Sequence, residues 1–137
     1  INQIKRINNI IKKKKTIGSR YFNNLKDEKN LFIQNPKVKH FENVYWVVGV
    51  LILNKKITAE KFRAELKKYK IETRSFFWPI HRQDIFKKIN IKFQKHYSNS
   101  DYLSKYGFYL PSGLDTKNND IDYVCDNIKK IVKKFNL

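Results

Sequence analysis

The sequence predicts an α+β fold in which a small antiparallel or mixed sheet packs against helices. Apolar residues recur at three- and four-residue spacing, as in amphipathic helices, in three segments: 2–26, 58–70 and 118–135. Shorter runs rich in Val, Ile and aromatic residues, typical of strands, occupy three others: 44–53, 71–78 and 108–110. With 137 residues, 41% of them hydrophobic, the chain suits one domain with one modest core.

The first predicted helix covers residues 2–26 and has one apolar stripe. The stripe is formed by Ile4, Ile7, Ile11, Tyr21 and Leu25. Polar and basic residues cover the opposite face, so we expect the stripe to pack on the core. Gly18 is the weak point of this helix, because glycine costs about 1 kcal/mol relative to alanine in a helix interior.

A polar connection follows at residues 27–42. It contains Asn35-Pro36, where we expect a break, because the residue before a proline avoids helical geometry. Val38, His40 and Phe41 are candidates to begin an extended piece. The strand at 44–53 comes next and is rich in Val, Ile, Tyr and Trp.

The second helix begins after a turn at 54–56. Thr58 is its expected N-cap, and Glu60 lies in the first turn, where an acidic side chain is favourable. Its apolar face, carried by Phe62, Leu66 and Tyr69, continues to about residue 70. The strand at 71–78 follows directly, and Pro79 ends it.

The remaining elements are shorter until the last helix. Residues 82–93 are suited to a short helix or an ordered loop, and residues 94–100 are polar. Ser100 and Asp101 are expected to cap a helix at 102–105 that Gly107 ends.

The strand at 108–110 ends at Pro111, and Ser112-Gly113 forms a turn. In the final helix, 118–135, Asn118 or Asn119 is the expected N-cap. Acidic residues lie near its start and lysines near its end, as the helix dipole favours.

The formal net charge of +18 taken alone favours a nucleic-acid-binding protein. Arg, however, supplies only 5 of the 30 basic residues, although contacts to phosphates and base edges favour Arg. The lysines are spread along the chain, with a single run at 12–15. We therefore expect a solvated basic surface that attracts anions such as a nucleotide-sugar diphosphate, with nucleic acid as the less favoured partner.

Few residues suggest chemistry. The three histidines, His40, His81 and His96, lack the spacing of metal ligands, so no metal site is predicted. The single cysteine, Cys125, lies in a helical pattern and is expected to be structural. No phosphate-binding glycine loop or nucleophile elbow is present. The absence of a secretory signal and of a long apolar run predicts a cytoplasmic protein without a membrane span.

One segment, residues 71–81 with the sequence IETRSFFWPIH, concentrates Arg, aromatic residues, Pro and His. Arg74 is suited to a phosphate or carboxylate, and His81 to a hydrogen bond with a ligand. Strand alternation would divide the three aromatic residues at 76–78 between the core and a cleft wall, and Trp78 suits stacking on a sugar or base. Alternatively, Arg74 pairs with a surface carboxylate and His81 is an ordinary loop residue.

Five blocks, taken in order, resemble the C-terminal part of the DegT/DnrJ/EryC1/StrS family of pyridoxal-phosphate-dependent sugar aminotransferases. Residues 7–25 are similar to the helix that leaves the family's large domain, and NVYWVVG at 43–49 to the first strand of its small domain. IETR through PIH at 71–81 is similar to its most recognisable segment. YLSK through LPSG at 102–113 and DIDYV at 120–124 resemble the late block and the start of the final helix.

The resemblance implies the small C-terminal domain of a fold-type I aminotransferase. Residues 1–26 correspond to an interdomain helix and residues 27–137 to the small domain, whereas the cofactor-binding large domain is not represented. The family transfers an amino group, usually from glutamate, to a nucleotide-linked keto-sugar, as in aminosugar and cell-surface polysaccharide biosynthesis. Pyridoxal 5'-phosphate is its cofactor, and its members form homodimers.

The resemblance also implies site residues. Arg74, Phe77, Trp78 and His81 would contribute to sugar-nucleotide binding, whereas the Schiff-base lysine would lie outside this chain. Ser75 stands where the family often has Pro, and Trp78 where it often has Tyr, so the subfamily stays open.

Three expectations remain. The LPSG block at 110–113 favours 4-amino sugar synthesis of the perosamine kind. Some relatives replace the lysine and act as dehydratases, so that reaction is an alternative. Because the sequence starts at Ile1 and contains no Met, we expect a piece of a longer protein that is inactive when isolated.

Overall fold

The computed structural model describes residues 2–91, 93 and 96–137. Within them the strands are β1 (Leu31–Ile33), β2 (Lys37–Val38), β3 (Phe41–Glu42), β4 (Val48–Ile52), β5 (Arg74–Ser75) and β6 (Gly107–Leu110). The helices are α1 (Asn2–Lys5), α2 (Ile7–Leu25), α3 (Ala59–Lys68), α4 (Asp84–Lys88), α5 (Ser98–Tyr106) and α6 (Asn118–Lys134). A 3-10 turn lies at Ile80–Arg82.

The central sheet has four strands in the order β1-β4-β6-β5, and all of its pairings are antiparallel. Val50 of β4 lies opposite Ile33 on one side and Phe108 on the other. These three side chains point to the same face and are buried, as the period of two requires. The α+β class with an antiparallel sheet is therefore confirmed. A separate hairpin pairs β2 with β3.

Helices cover this face of the sheet and complete one core. α2 contributes Tyr21 and Leu25, α3 contributes Phe62, and α6 contributes Ile121 and Ile128, all of them buried. The predicted apolar face of the last helix is thus confirmed. In the second helix Phe62 and Leu66 are buried as predicted, whereas Tyr69 lies just after the end of the helix and is exposed. Among the described residues, no helix combines the length and apolar character needed to cross a bilayer.

The close approach of Tyr45 to Gly18 fixes how the first long helix meets the sheet. The Tyr45 side chain is 1% exposed, and its hydroxyl donates a hydrogen bond to the Gln34 carbonyl at 2.7 Å. A Cβ added to Gly18 would lie 2.1 Å from the Tyr45 ring. Glycine has a low helix propensity, but because it has no side chain at position 18 the Tyr45 ring can pack against α2.

The N-terminal helix differs from the prediction in two ways. The helix expected at 2–26 is interrupted at Arg6, which separates α1 from α2. Ile4 and Ile7 of the predicted stripe are exposed, so only its C-terminal part packs on the core within this chain.

The strand boundaries also change. The connection expected at 27–42 contains β1 and the β2–β3 hairpin. The strand predicted at 44–53 starts at Val48, because Tyr45 has a left-handed backbone with φ of 51° that departs from strand geometry. The strand predicted at 71–78 is reduced to Arg74–Ser75.

The late helices are corrected as well. The helix expected at 102–105 spans Ser98–Tyr106, and Gly107 begins β6 rather than only ending the helix. Asp101 therefore lies inside α5 and does not cap it.

In α6, the N-cap position is Lys117, whose backbone N–H donates to the Asp120 carboxylate at 2.9 Å, and the helix ends at Lys134. Within the region expected at 82–93, the short helix is α4, whereas residues 1, 92, 94 and 95 lie outside the described part of the chain.

We predict that Gly18→Ala destabilises the protein. The gain in helix propensity is about 1 kcal/mol, whereas overpacking a full core costs about 1–3 kcal/mol, and here the clash is with a buried ring. The midpoint of chemical denaturation measures the change. Gly113→Ala is the matched control, because its added Cβ would make only an ordinary contact of 3.8 Å with Thr116. Equal midpoints for Gly18→Ala and Gly113→Ala would contradict this packing.

We predict that one ion pair contributes to the acid sensitivity of the fold. Arg20 of α2 donates through Nε to Asp122 of α6 at 2.9 Å. Hydrogen bonds from Arg20, and then from Asn24, lower the pKa of Asp122 below its ordinary value of 3.8. A carboxyl group whose pKa is depressed by folding stabilises the protein above its unfolded pKa, and this contribution is lost as the pH falls through the folded value.

The denaturation midpoint of the wild type should therefore fall more steeply than that of Asp122→Asn as the pH drops below about 4. Asp126→Asn, which changes an exposed acid on the same helix, should follow the wild type. Parallel pH profiles for the wild type and Asp122→Asn would refute the role of this pair.

Candidate functional site

Arg74 lies on the edge strand of the sheet, beside an open cleft of about 310 Å³. β5 pairs with β6 so that Arg74 stands opposite Tyr109, on the sheet face that is not part of the core. Lys14 and Trp46 line the same cleft. Among the described residues, no acidic side chain forms an ion pair with Arg74, so its guanidinium is available to a ligand and the surface-pair interpretation is not supported.

Lys14 closes one side of this cleft. Its ammonium donates to the Trp46 carbonyl at 3.1 Å and to the Ser112 carbonyl at 2.6 Å. Burial lowers the pKa of Lys14 from its ordinary value of 10.5. An ammonium has three N–H groups, and these two bonds leave one donor for an anion in the cleft. Lys14 and Arg74 thus place two cationic groups around one opening.

Aromatic rings border the cleft. Trp46 stacks on Phe77 with ring centroids 6.4 Å apart and an interplanar angle of 15°. Phe77 meets the edge of Tyr109 at 6.0 Å, whereas Phe76 stacks on Tyr109 at 4.7 Å. Trp46 and Phe77 are 69% and 70% exposed, which leaves ring surface open to a planar or apolar ligand group.

His81 belongs to a second cluster, in the 3-10 turn that follows Pro79. Its Nε2 lies 2.8 Å from Asp101 Oδ1, and Arg82 Nε lies 2.6 Å from the same oxygen. The hydrogen bond from Arg82, reinforced by that from His81, lowers the pKa of the Asp101 carboxyl below 3.8. Trp78 supports the turn, because its indole N–H donates to the Arg82 carbonyl at 3.1 Å.

This second cluster borders a larger cleft of about 560 Å³. Trp78, Arg82 and Asp101 line it, together with Arg63 of α3. Arg63 is already held by Thr73, since it donates to the Thr73 hydroxyl at 3.2 Å and to its carbonyl at 2.9 Å. The cleft therefore has an aromatic wall, and the cations Arg63 and Arg82 are already engaged in contacts with other protein groups.

The structure divides the four predicted site residues into two groups. Arg74 and Phe77 lie with the first cleft, whereas Trp78 and His81 lie with the cluster at Asp101. The three aromatic residues at 76–78 were expected to divide between the core and a cleft wall. Phe77 and Trp78 are both exposed, whereas Phe76 stacks on Tyr109, so Phe76 is the packed member of the three. A role for these four residues in ligand binding stays a prediction.

Sequence reasoning missed three residues that complete these groups: Lys14, Trp46 and Asp101. Their partners are distant in the sequence: Lys14 and Ser112 are 98 positions apart, and His81 and Asp101 are 20 positions apart. The sequence feature that includes Lys14 is the basic run at 12–15, but the run does not show which of its lysines turns towards the protein. Asp101 was expected to act as a helix cap.

Other candidate groups are structural or isolated. Cys125 is buried in α6, and burial raises the pKa of its thiol to about 11. A thiol with this pKa is not a nucleophile at neutral pH. Over the described ranges, no group of three His, Cys, Asp or Glu residues has the proximity of a metal site.

Pyridoxal phosphate requires a lysine amine that is free to form an imine. Burial lowers the pKa of Lys14, but its ammonium is held by two carbonyls. Those contacts make Lys14 a structural donor, and it does not fit the role of the lysine that forms the imine.

Comparisons with known proteins agree with the resemblance. The sequence matches the model of the DegT/DnrJ/EryC1/StrS aminotransferase family over residues 1–129. It is 28% identical over 128 residues to a GDP-perosamine synthase of Escherichia coli O157:H7, covering 93% of this chain and 33% of that protein. The chain thus spans about a third of the length of this curated relative.

Two solved structures share the fold. PseC of Helicobacter pylori, an aminotransferase of pseudoaminic acid biosynthesis, superposes with a TM-score of 0.85 at 15% identity, over 97% of this chain and 35% of that one. The Escherichia coli GDP-4-keto-6-deoxy-D-mannose-3-dehydratase with bound hydrated PLP gives 0.78 at 18% identity, over 93% and 33%. Because the family match covers nearly the whole sequence, the chain belongs to the DegT/DnrJ/EryC1/StrS aminotransferase family.

Proposed function

We propose that this chain is the sugar-nucleotide-binding part of a pyridoxal-phosphate-dependent enzyme that transfers an amino group, supplied by glutamate, to a nucleotide-linked keto-sugar. The observation that carries the proposal is the cleft in which Arg74 and the inward-turned Lys14 meet aromatic rings, in a chain of this family. A sugar nucleotide has the matching chemistry, because its diphosphate is anionic and its base is planar.

The two residue groups would share the substrate. Arg74 and Lys14 would neutralise a diphosphate, and the exposed Trp46 and Phe77 rings would contact a base or sugar. His81 would form a hydrogen bond with a polar group of the same ligand. Guanosine diphosphate is our choice of carrier, since the curated relative acts as a GDP-perosamine synthase.

The cofactor, the partner subunit and the location belong to the same proposal. Pyridoxal phosphate supplies the electron sink of amino transfer and would be bound mainly by parts of the protein beyond this chain. Residues 1–26 would join that part to the small domain at 27–137. We propose a cytoplasmic homodimer that supplies amino sugars, of the perosamine kind, for cell-surface polysaccharide.

A dehydratase is the second candidate. The fold supports it to a similar degree, since a dehydratase superposes with a TM-score of 0.78. Amino transfer would convert glutamate to 2-oxoglutarate and yield an amino sugar, whereas dehydration would remove a sugar hydroxyl without placing nitrogen on the sugar. Mass spectrometry of the sugar-nucleotide product in the presence of 15N-glutamate therefore distinguishes the two reactions.

We predict that Arg74→Ala weakens binding of GDP-perosamine and of GDP by roughly 10- to 100-fold, because charge-assisted hydrogen bonds to a phosphate are of that strength. Calorimetric titration of the purified protein with each nucleotide measures both affinities. Lys133→Ala removes an exposed lysine of α6 and changes the net charge equally, so it controls for long-range attraction. If both variants lose the same affinity, the effect is general electrostatics and the assignment of Arg74 fails.

A further inference from the structure

Asp101 accepts hydrogen bonds from two residues of one turn. Its Oδ1 lies 2.8 Å from His81 Nε2 and 2.6 Å from Arg82 Nε. The hydrogen bond from the Arg82 guanidinium lowers the pKa of the Asp101 carboxyl, which is therefore ionised at neutral pH. An ionised carboxylate only accepts hydrogen bonds, so the proton in the contact with His81 must be on Nε2.

The His81 ring is also restrained by packing. The Tyr97 ring lies 4.9 Å from it, tilted by 31°, and Phe93 meets it edge-on at 6.3 Å. The His81 side chain is only 16% exposed, so the ring has little room to turn. Among the described residues, no group forms a hydrogen bond with Nδ1. This nitrogen is the part of the ring that remains for a ligand.

We propose that Asp101 is a positioning residue for sugar recognition, which fixes His81 with its proton on Nε2 so that Nδ1 accepts a hydrogen bond from a sugar hydroxyl. The inference rests on the proposed function, because it takes a sugar nucleotide as the ligand. It deepens that function by assigning the sugar hydroxyls, and not the diphosphate, to His81.

The chemistry of Nδ1 favours this assignment over a phosphate. In the neutral ring that carries its proton on Nε2, Nδ1 has a lone pair and acts as an acceptor. A hydroxyl can donate to it, whereas phosphate oxygens at neutral pH are acceptors themselves. Among the residues that line the first cleft, Arg74 and Lys14 supply two cations against one carboxylate, that of Glu72.

Binding of two probes to the purified protein tests the assignment. We expect Asp101→Ala and His81→Ala each to weaken GDP-perosamine binding roughly 2- to 10-fold in calorimetry, the range of a hydrogen bond between neutral groups, while the affinity for GDP stays unchanged. Asp101→Asn keeps an oxygen that accepts the Nε2 proton and should retain most of the affinity. The double variant should lose little more than either single one, because both act through one contact. Asp126→Asn is the matched control.

A spectroscopic readout separates positioning from binding alone. Selective 15N labelling of histidine should report His81 protonated on Nε2 in the wild type and in Asp101→Asn, and a mixture of tautomers in Asp101→Ala. Unchanged affinity for GDP-perosamine in Asp101→Ala, together with weakened binding in His81→Ala, would overturn this inference and leave the proposed function standing. Wild-type affinities for both probes in Arg74→Ala and His81→Ala would instead overturn the proposed function. Equal losses for GDP and GDP-perosamine in Asp101→Ala would refute a role directed at the sugar.

Discussion

Burial of one face of the central sheet is the constraint on which the rest of this structure depends. Since side chains alternate along a strand, packing Val50 and Phe108 against the helices fixes the register of β4 and β6. A shift of one residue would expose both of them. The same register places Tyr109 on the other face, and its pairing with Arg74 carries that arginine to the open side. The position of a solvent-facing guanidinium is thus determined by apolar packing on the opposite surface.

The elements with a strong apolar period could be predicted from sequence, and the others could not. In α3 and α6 the apolar residues keep a regular spacing over several turns, so the sequence predicts the positions of both helices to within a few residues. β1 is three residues long, and the strands of the hairpin have two each, too few for a period to emerge from a polar background. The predicted length of β5 rested on the aromatic residues at 76–78, but the pairing of this strand with β6 ends at Ser75.

The candidate site shows the same division. A local cluster of unusual residues at 71–81 indicated where to look, and Arg74 lies beside a cleft. Which groups stand opposite these residues depends on tertiary folding. The contact between His81 and Asp101 joins a turn to a helix, and Lys14 reaches Ser112 from the other end of the chain. Neither pairing has a sequence pattern, because each requires only that two polar groups be brought within about 3 Å of one another.

Two contacts close loops of the polypeptide: the pairing of the short edge strand β5 with β6, and the hydrogen bond between His81 and Asp101. The chain leaves β5, passes through the turn at Ile80–Arg82, returns through α5 and enters β6, which pairs with β5. The hydrogen bond between His81 and Asp101 closes a smaller loop inside this one. The pairing of β5 and the contact of His81 hold both ends of the segment at 76–80, and closing the outer loop lowers the entropy that closing the inner one still costs. Phe77 and Trp78 are therefore exposed side chains on a backbone anchored at both ends, a combination that lets them meet a ligand at little conformational cost.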